Sequence, residues 1–212
     1  MFNRKKYEPQ TVADLVFADE DTRQRVEDYA NGERTDHALL HGPMGTGKSS
    51  TARVIAETRV GVQNGLSTQA YEGASFKESD LDKILNDWNW QRLEGAKFPV
   101  SVINEIDLLP PAMLEKLKAF MDQCGHQGQI IGTTNHEYRL SYSHRDRFDI
   151  IEMPALPGEA FEPRVREMLA NEGVQIADET IRDVLAPNYG SWRDALSATQ
   201  DMILDEKRKS KP

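Results

Sequence analysis

Cysteine is nearly absent from this sequence of 212 residues, in which Cys124 is the single example. One cysteine cannot form an internal disulfide framework or supply a zinc site that needs several thiolates. The fold is therefore expected to depend on an apolar core, and a hydrophobic content of 38% is sufficient for one.

Long apolar runs are also missing, since no stretch approaches the length of a membrane span. Residues 1–10 are polar and basic, and no apolar segment of the kind found in secretory signals follows them. We therefore expect a cytoplasmic protein in a reducing compartment.

Basic residues are in deficit, because 26 Lys and Arg stand against 35 Asp and Glu and give a net charge of −9. A domain that binds DNA by itself is usually basic. Any contact with nucleic acid is therefore expected to be a local patch or to depend on a partner. The simplest interpretation of the acidity is solubility.

Short apolar runs alternate with stretches of helical composition through the first three quarters of the chain. Strands are predicted at Ala38–His41, Thr68–Glu72, Val100–Ile103, Gln129–Thr134 and Asp149–Met153. Helices are predicted at Asp21–Ala30, Ser49–Thr58, Ser79–Glu94 and Pro110–Gln123. This alternation predicts an α/β domain over residues 1–157, with a parallel five-stranded sheet and helices on both faces.

The character of the sequence changes after Pro154, where helical stretches follow one another without strands. These helices are predicted at Glu159–Asn171, Asp178–Leu185 and Ser191–Lys207. We predict that residues 158–212 form a small C-terminal helical lid, whose basic tail from Lys207 onward is frayed.

The segment between the first predicted strand and the next helix matches every fixed position of the phosphate-binding pattern G-x-x-x-x-G-K-[ST]. Its residues are Gly42, Pro43, Met44, Gly45, Thr46, Gly47, Lys48 and Ser49, and Ser50 follows in the first helical turn. The glycines let backbone N–H groups surround the phosphates, Lys48 neutralises them, and the Ser49 hydroxyl can bind Mg²⁺. A chance glycine-rich turn would lack the flanking strand and helix, so the sequence predicts a P-loop for ATP and Mg²⁺.

A second feature is the apolar strand Val100–Ile103, which runs into an acidic stretch at residues 104–107. This is the Walker B arrangement, and Glu105 is the predicted base that orients the attacking water. Asn104 occupies the position where an aspartate normally supports the metal. Both residues are predicted Mg²⁺ contacts beside Ser49, and the amide of Asn104 is expected to weaken metal binding and hydrolysis. The alternative is a strand end with solvated acids.

Asn135 directly follows the predicted strand Gln129–Thr134. A neutral polar side chain at a strand end can hold the attacking water together with Glu105. Asparagine is also a common turn residue, which is the simpler alternative at this position.

Two arginines, Arg145 and Arg147, lie shortly before the last predicted strand. In an oligomeric ATPase an arginine here reaches the γ-phosphate bound by a neighbouring subunit; otherwise the segment is a surface cluster of ion pairs. Arg193 lies in the first turn of the last helix, where it either points back at the phosphates or is solvated. Trp192 beside it is interpreted as a core residue.

In their order and spacing these motifs resemble the AAA+ ATPases, and among them the clamp-loader small subunits of the replication factor C and bacterial types. The resemblance covers about residues 5–204. The opening Lys6-Tyr7-Glu8-Pro9 is similar to a segment that forms part of the adenine pocket in that group, with Glu8 replacing an arginine. It implies that Tyr7, Pro9 and Val16 contact the adenine.

The same resemblance implies the AAA+ form of the P-loop NTPase fold and assigns roles to four polar residues. Asn135 is the sensor 1 residue, Arg147 is the finger arginine, with Arg145 as a second candidate, and Arg193 is the sensor 2 arginine. Subunits are then expected to associate into a ring, spiral or filament, with ATP or ADP at each interface. The implied partners are DNA and a clamp, a helicase or another replication protein. If DNA is bound, the expected contacts are Lys83, Lys116 and Lys118, and the alternative is that these lysines are solvated surface residues.

Two departures from the clamp-loader group leave other functions open. Asn104 replaces an aspartate, and no counterpart of the third, helical collar domain is expected in a chain of this length. The expected function is a clamp-loader-like ATPase that couples ATP binding and hydrolysis to assembly on DNA or on a replication or repair partner. The alternatives are a nucleotide-gated binding module with slow hydrolysis, inside a filament or hetero-oligomer, and a helicase-loader type of ATPase.

Overall fold

A sheet of five parallel strands forms the centre of the computed structural model, which describes residues 4–61, 68–187 and 190–209. The strands lie in the order β2, β3, β4, β1 and β5. Their bounds are β1 Ala38–His41, β2 Ala70–Glu72, β3 Val100–Asn104, β4 Gln129–Thr134 and β5 Asp149–Glu152. The predicted parallel five-stranded sheet is therefore confirmed, although its second strand begins at Ala70 rather than Thr68.

Helices connect the strands and continue beyond the last of them. Their bounds are α1 Glu20–Asn31, α2 Lys48–Val60, α3 Glu78–Leu93, α4 Pro111–Cys124, α5 Tyr142–Arg145, α6 Glu162–Asn171, α7 Asp178–Leu185 and α8 Trp192–Lys209. Single turns of 3-10 helix lie at Arg4–Tyr7, Val12–Asp14, Gly73–Ser75, Ile106–Leu108, Glu137–Arg139 and Gly158–Phe161. The short α5 has no counterpart among the predicted elements, because one turn shows no apolar periodicity.

Successive strand residues point to opposite faces of the sheet. Because helices cover both faces, the central strands carry consecutive apolar residues rather than alternating ones. Leu39 belongs to the core that α3 and α4 cover, together with Trp88 and Ile103. Leu40 belongs to the core on the other face, which α1 and α2 cover and which includes Ile55. Both faces of the sheet are therefore buried, as the prediction of helices on both faces requires.

A third apolar cluster lies within α6, α7 and α8, which we call the C-terminal helices. Phe161, Val165 and Leu185 are buried in it, and Trp192 packs against Phe161 with ring centroids 5.5 Å apart. This cluster gives residues 158–187 and 190–209 a core of their own, while the proposed division at residue 157 stays a prediction.

The basic end of α8 is ordered within the described residues. The helix continues through Lys209, and Lys207 Nζ donates to Glu172 Oε2 at 2.5 Å. The prediction of a frayed tail is therefore wrong for residues 207–209, because Lys207 forms an ion pair with Glu172, which directly follows α6. Residues 210–212 lie outside the described residues.

No helix within the described ranges is both long enough and apolar enough to cross a membrane. The cytoplasmic location stays a prediction.

Candidate nucleotide-binding site

A cavity of about 340 Å³ opens where the carboxyl ends of β1, β3 and β4 meet. Such a volume lies in the range of small-molecule sites. The lining residues are Met44, Gly45, Gly47, Lys48, Ser49, Ser50, Glu105, Thr133, Thr134, Asn135, Trp192 and Arg193. The structure thus brings together the phosphate loop, the end of the Walker B strand, the residue after β4 and the first turn of α8.

The phosphate loop depends on glycine at three positions with positive φ. Gly45 and Gly47 have φ values of 90° and 92°, and Gly42 has 146°. A Cβ at Gly42 would also lie 2.1 Å from the carbonyl oxygen of Met153, so the loop could not keep its path with a larger residue. The loop leads directly into α2, whose free N–H groups and dipole favour an anion.

Lys48 is folded back onto the phosphate loop. Its Nζ donates to the carbonyl oxygens of Gly42 at 2.9 Å and Pro43 at 2.6 Å, and the residue is only 7% exposed. Burial lowers the pKa of the Lys48 ammonium to about 8, while the carboxylate of Glu105 opposes this shift. An incoming phosphate would replace neutral carbonyl acceptors with charged oxygens.

A second, smaller cavity adjoins the first on the side of the N-terminal segment. Pro9 and Val16 line it together with Thr46 and Gly47 of the phosphate loop, and Trp192 lines both cavities. Contact of Pro9 and Val16 with adenine stays a prediction. Thr51 also lines this cavity, and its hydroxyl oxygen is buried without a hydrogen-bond partner among the described residues. The volume of this cavity is only about 20 Å³.

Tyr7 does not line either nucleotide cavity. It is buried, and its hydroxyl donates to Glu172 Oε1 at 2.6 Å. Lys6 Nζ donates to the same oxygen at 3.2 Å. The N-terminal segment is therefore attached to the C-terminal helices at this point, and the predicted contact of Tyr7 with adenine stays a prediction.

Glu105 follows β3 in a left-handed conformation, with φ and ψ both 51°. It is the sole residue other than glycine with positive φ in the described part of the chain. Its N–H donates to Thr133 Oγ1 at 3.1 Å, and its side chain lines the cavity beside Ser49. A strained backbone that persists at a cavity is typical of functional positions.

Asn104 lies next to the cavity but is not among its lining residues. Its Nδ2 donates to Glu72 Oε1 at 2.9 Å, and its Oδ1 accepts from Thr133 Oγ1 at 3.3 Å. Ser49 and Glu105 share the cavity and present the oxygen donors that Mg²⁺ prefers, so this pair fits the metal. Contact between Asn104 and the metal stays a prediction.

The loop that carries Asn135 is fixed by Thr134 and Asp107. Thr134 Oγ1 donates to Asp107 Oδ1 at 2.6 Å and accepts the N–H of His136 at 2.9 Å. The Asp107 side chain is only 3% exposed and also faces Arg139 at 3.5 Å. Asp107 thus holds the end of β4, which places Asn135 on the cavity.

The first turn of α8 is attached to the phosphate loop. The N–H of Trp192 donates to the carbonyl oxygen of Gly45 at 3.0 Å, and Ser191 Oγ accepts the N–H of Asp194 at 3.2 Å as a helix cap. This contact places Arg193 on the cavity wall. Arg193 is exposed.

Arg147 and Arg145 lie outside this cavity. Arg147 Nε and Nη2 contact the two carboxylate oxygens of Asp122, each at 3.2 Å. Arg145 Nη1 lies 3.7 Å from Glu137 Oε1. Neither arginine is among the residues that line the site of its own chain, so their action on a neighbour's nucleotide stays a prediction.

The three lysines predicted to contact DNA all pair with acidic side chains in the described structure. Lys83 Nζ lies 2.7 Å from Asp80 Oδ1. Lys116 pairs with Glu78 from the neighbouring helix, and Lys118 pairs with Glu115. A phosphate would have to compete with these carboxylates, and the DNA contacts stay predictions.

Sequence reasoning missed three residues that line the cavity. Thr133 and Thr134 precede Asn135 at the end of β4, so the rule that parallel strands end at one edge was a sufficient signal for both. Trp192 was interpreted as a core residue, and it does pack against Phe161. Apart from its position beside Arg193, nothing in the sequence indicated that Trp192 would also line the cavity.

The parallel sheet, the glycine-rich loop between β1 and α2 and the carboxylate at the end of β3 define a P-loop nucleoside triphosphatase. The family model described as ATPase family associated with various cellular activities (AAA) matches residues 38–155. The match spans more than half of the chain, which therefore belongs to the AAA family.

Relatives and solved structures point the same way. The replication factor C small subunit of Archaeoglobus fulgidus is 28% identical over 200 residues, covering 92% of this chain and 62% of the relative. Replication factor C subunit 4 of Encephalitozoon cuniculi is 22% identical over 201 residues, covering 93% of this chain and 63% of the relative. The chain thus spans under two thirds of the length of these relatives.

The RuvB Holliday junction branch migration motor of Thermotoga maritima is structurally similar, with a TM-score of 0.74 at 20% sequence identity. That match covers 96% of this chain and 72% of the RuvB chain. At this identity the likeness supports the AAA+ fold alone.

Proposed function

We propose that the chain hydrolyses ATP as one subunit of an oligomeric assembly that acts on DNA or on a replication or repair partner, as a clamp-loader small subunit does. The observation that carries the proposal is the convergence of Lys48, Glu105 and Arg193 on one cavity. These residues come from α2, from the end of β3 and from α8. A chance glycine-rich turn, solvated acids at a strand end and a solvated arginine would not require that convergence.

The side chains divide the work of phosphoryl transfer to water. Lys48 and the N–H groups at the start of α2 bind the phosphates, and Glu105 accepts a proton from the attacking water while Asn135 orients it. Arg193 stabilises the charge that develops on the γ-phosphate. Mg²⁺ held near Ser49 and Glu105 would neutralise phosphate charge.

The first test compares ATP turnover by the wild type with that of Glu105→Gln and Lys48→Ala. Glu105→Gln keeps the size of the side chain and removes the base, so ATP binding should remain while kcat falls by about 10²- to 10⁴-fold. Lys48→Ala should lose ATP binding itself. Equal turnover by the wild type and Glu105→Gln would refute the hydrolytic mechanism.

The second test asks whether Arg147 acts on a neighbouring subunit. Arg147→Ala and Lys48→Ala should each be inactive alone. Arg147→Ala lacks the arginine that acts on the neighbour's nucleotide, and Lys48→Ala does not bind the nucleotide. Mixing the two should restore part of the activity, since an intact site of the first can face the intact arginine of the second. Arg208→Ala is the matched control, as Arg208 is exposed on α8 and pairs with Asp205 at 3.0 Å.

Failure of the mixture to recover activity, with both variants folded, would contradict the assembly with a shared site. Electron microscopy with a non-hydrolysable ATP analogue, with and without DNA, then distinguishes a ring, spiral or filament from a monomer. The names of the relatives support DNA replication as the setting, and the partner in that setting is part of the proposal.

A second candidate function is a nucleotide-gated binding module with slow turnover, which the amide of Asn104 favours. Such a module would assemble with ATP and bind its partner, yet would hydrolyse ATP far more slowly than it exchanges nucleotide. Comparing the rate of turnover with the rate of ADP release separates the two functions. Chemistry slower than release supports the module, and brisk turnover refutes it.

A further inference from the structure

We propose that Glu72, at the end of β2, is a positioning residue for Glu105 and acts by accepting a hydrogen bond from the amide of Asn104. Glu72 does not line the nucleotide cavity, so it acts through its neighbours. The inference rests on the proposed hydrolysis of ATP, in which Glu105 is the base.

Three hydrogen bonds connect Glu72 to the backbone of Glu105. Asn104 Nδ2 donates to Glu72 Oε1 at 2.9 Å, and Thr133 Oγ1 donates to Asn104 Oδ1 at 3.3 Å. The same Thr133 oxygen accepts the N–H of Glu105 at 3.1 Å. Both ends of the Asn104 amide are therefore used, and the carboxylate of Glu72 decides which end faces Thr133.

The backbone of Glu105 needs such support because its left-handed conformation is strained for a residue with a side chain. The backbone that follows β2 also contacts Glu105 directly. A Cβ at Gly73 would lie 2.1 Å from the carbonyl oxygen of Glu105, so the two backbones are already in contact. Glu72 and Gly73 thus border the strained residue through side chain and backbone.

The pairing also explains why an amide suits position 104 in this chain. An aspartate there would place two carboxylates at hydrogen-bond distance, and like charges so close disfavour the ionised pair. Asn104 is therefore matched to Glu72. The change Asn104→Asp, made alone, is expected to disturb Glu105 rather than to improve the site.

The test measures kcat and KM for ATP in four variants. Glu72→Ala removes the acceptor and should lower kcat about 3- to 10-fold, with KM within about twofold, as expected for loss of one hydrogen bond in the chain. Glu72→Gln keeps an acceptor oxygen and should stay close to the wild type. Asn104→Asp should lower kcat, and Glu72→Gln/Asn104→Asp should recover it, because the Gln amide can donate to the new carboxylate.

Glu94→Gln is the matched control, since Glu94 is an exposed glutamate at the end of α3 and should leave kcat unchanged. An unchanged kcat in Glu72→Ala, or a faster Asn104→Asp, would overturn the inference while Glu105→Gln remained inactive. If the wild type and Glu105→Gln turned over equally, the proposed function would fail instead. The NMR chemical shift of the Glu105 backbone amide tests the positioning role separately. If Glu72 positions Glu105, this shift should change in Glu72→Ala and stay unchanged in Glu94→Gln.

Discussion

Arg147 holds Asp122 through two parallel contacts, Nε to Oδ1 and Nη2 to Oδ2, each 3.2 Å long. This carboxylate raises the pKa of the Arg147 guanidinium, and Nη1 also donates to the carbonyl oxygen of Ser143 at 2.7 Å. The guanidinium edge that would bind a neighbour's γ-phosphate is therefore occupied by a carboxylate of its own chain. In the proposed assembly the phosphate has to displace Asp122.

Replacing Asp122 with alanine should favour the proposed assembly, because the γ-phosphate of a neighbouring subunit would no longer have to displace a carboxylate from Arg147. We expect Asp122→Ala to reach half-maximal ATP turnover at a protein concentration about two- to fivefold lower than the wild type, a modest change because the pair is solvent-exposed. The measurement is steady-state ATPase activity as a function of protein concentration.

Asp205→Ala serves as the control for this change, because Asp205 is an exposed acid on α8 that pairs with Arg208. It should leave the concentration dependence unaltered. Should Asp122→Ala lose activity as Arg147→Ala does, Asp122 would orient the arginine rather than compete for it.

ATP affinity should fall at alkaline pH because burial lowers the pKa of Lys48 to about 8. Below that pH the nucleotide-free protein already carries the ammonium, so affinity should vary little. Above it the free protein loses the proton and must regain it on binding, so Kd should rise by up to about tenfold per pH unit. Isothermal titration with a non-hydrolysable ATP analogue between pH 7 and 9.5 measures this directly.

Lys48→Arg is the matched variant, since a guanidinium stays charged throughout this range. Its affinity should be weaker, because the guanidinium is larger than the ammonium, but independent of pH. A wild-type profile that is equally flat would mean that Lys48 keeps its proton in the buried position.

The part of the site that lies at strand ends was predictable from the sequence. A glycine-rich loop after β1 and polar residues after β3 and β4 must meet at one edge of a parallel sheet, whatever the details of packing. Lys48, Glu105 and Asn135 therefore come together as predicted. For Arg193 the sequence left a phosphate contact and a solvated side chain both open, because one arginine in a helix has no distinguishing pattern.

The side-chain network around these residues was not predictable in the same way. Glu72 and Asn104 are far apart in sequence, and an exposed carboxylate at a strand end has no signal that names its partner. Thr133 and Gly73 border the left-handed backbone of Glu105, and neither contact could be read from the sequence. The pair of Arg147 with Asp122 likewise depends on how α4 lies beside α5.

Glu172 should stabilise the protein through its contacts with the N-terminal segment and α8. Lys207, Tyr7 and Lys6 all donate to its carboxylate, which is 11% exposed, and together they lower the pKa of Glu172 to about 2. A carboxyl whose folded pKa is depressed stabilises the native state above its unfolded pKa of about 4.3, and the contribution is lost as pH falls toward 2. Glu172→Gln should therefore lower the free energy of unfolding at pH 7 by about 1–3 kcal/mol.

Urea unfolding of both proteins, followed by circular dichroism, checks this expectation. The difference between wild type and Glu172→Gln should narrow between pH 4.5 and pH 3. Glu159→Gln, which changes an exposed glutamate just before α6, should match the wild type at every pH. A difference that stayed constant with pH would indicate lost packing instead of lost charge pairing.

Nucleotide binding should change the fluorescence of Trp192, which lines both nucleotide cavities. The sequence has 3 tryptophans, and the other two lie on α3, where Trp88 is fully buried and Trp90 is 61% exposed. A titration with ADP or ATP should therefore alter the emission of the wild type and of Trp90→Phe alike. Trp192→Phe should bind nucleotide with little or no emission change, as shown by calorimetry on the same sample. A signal that disappears in Trp90→Phe and persists in Trp192→Phe would place the nucleotide near α3, and the cavity between the phosphate loop and α8 would not be its site.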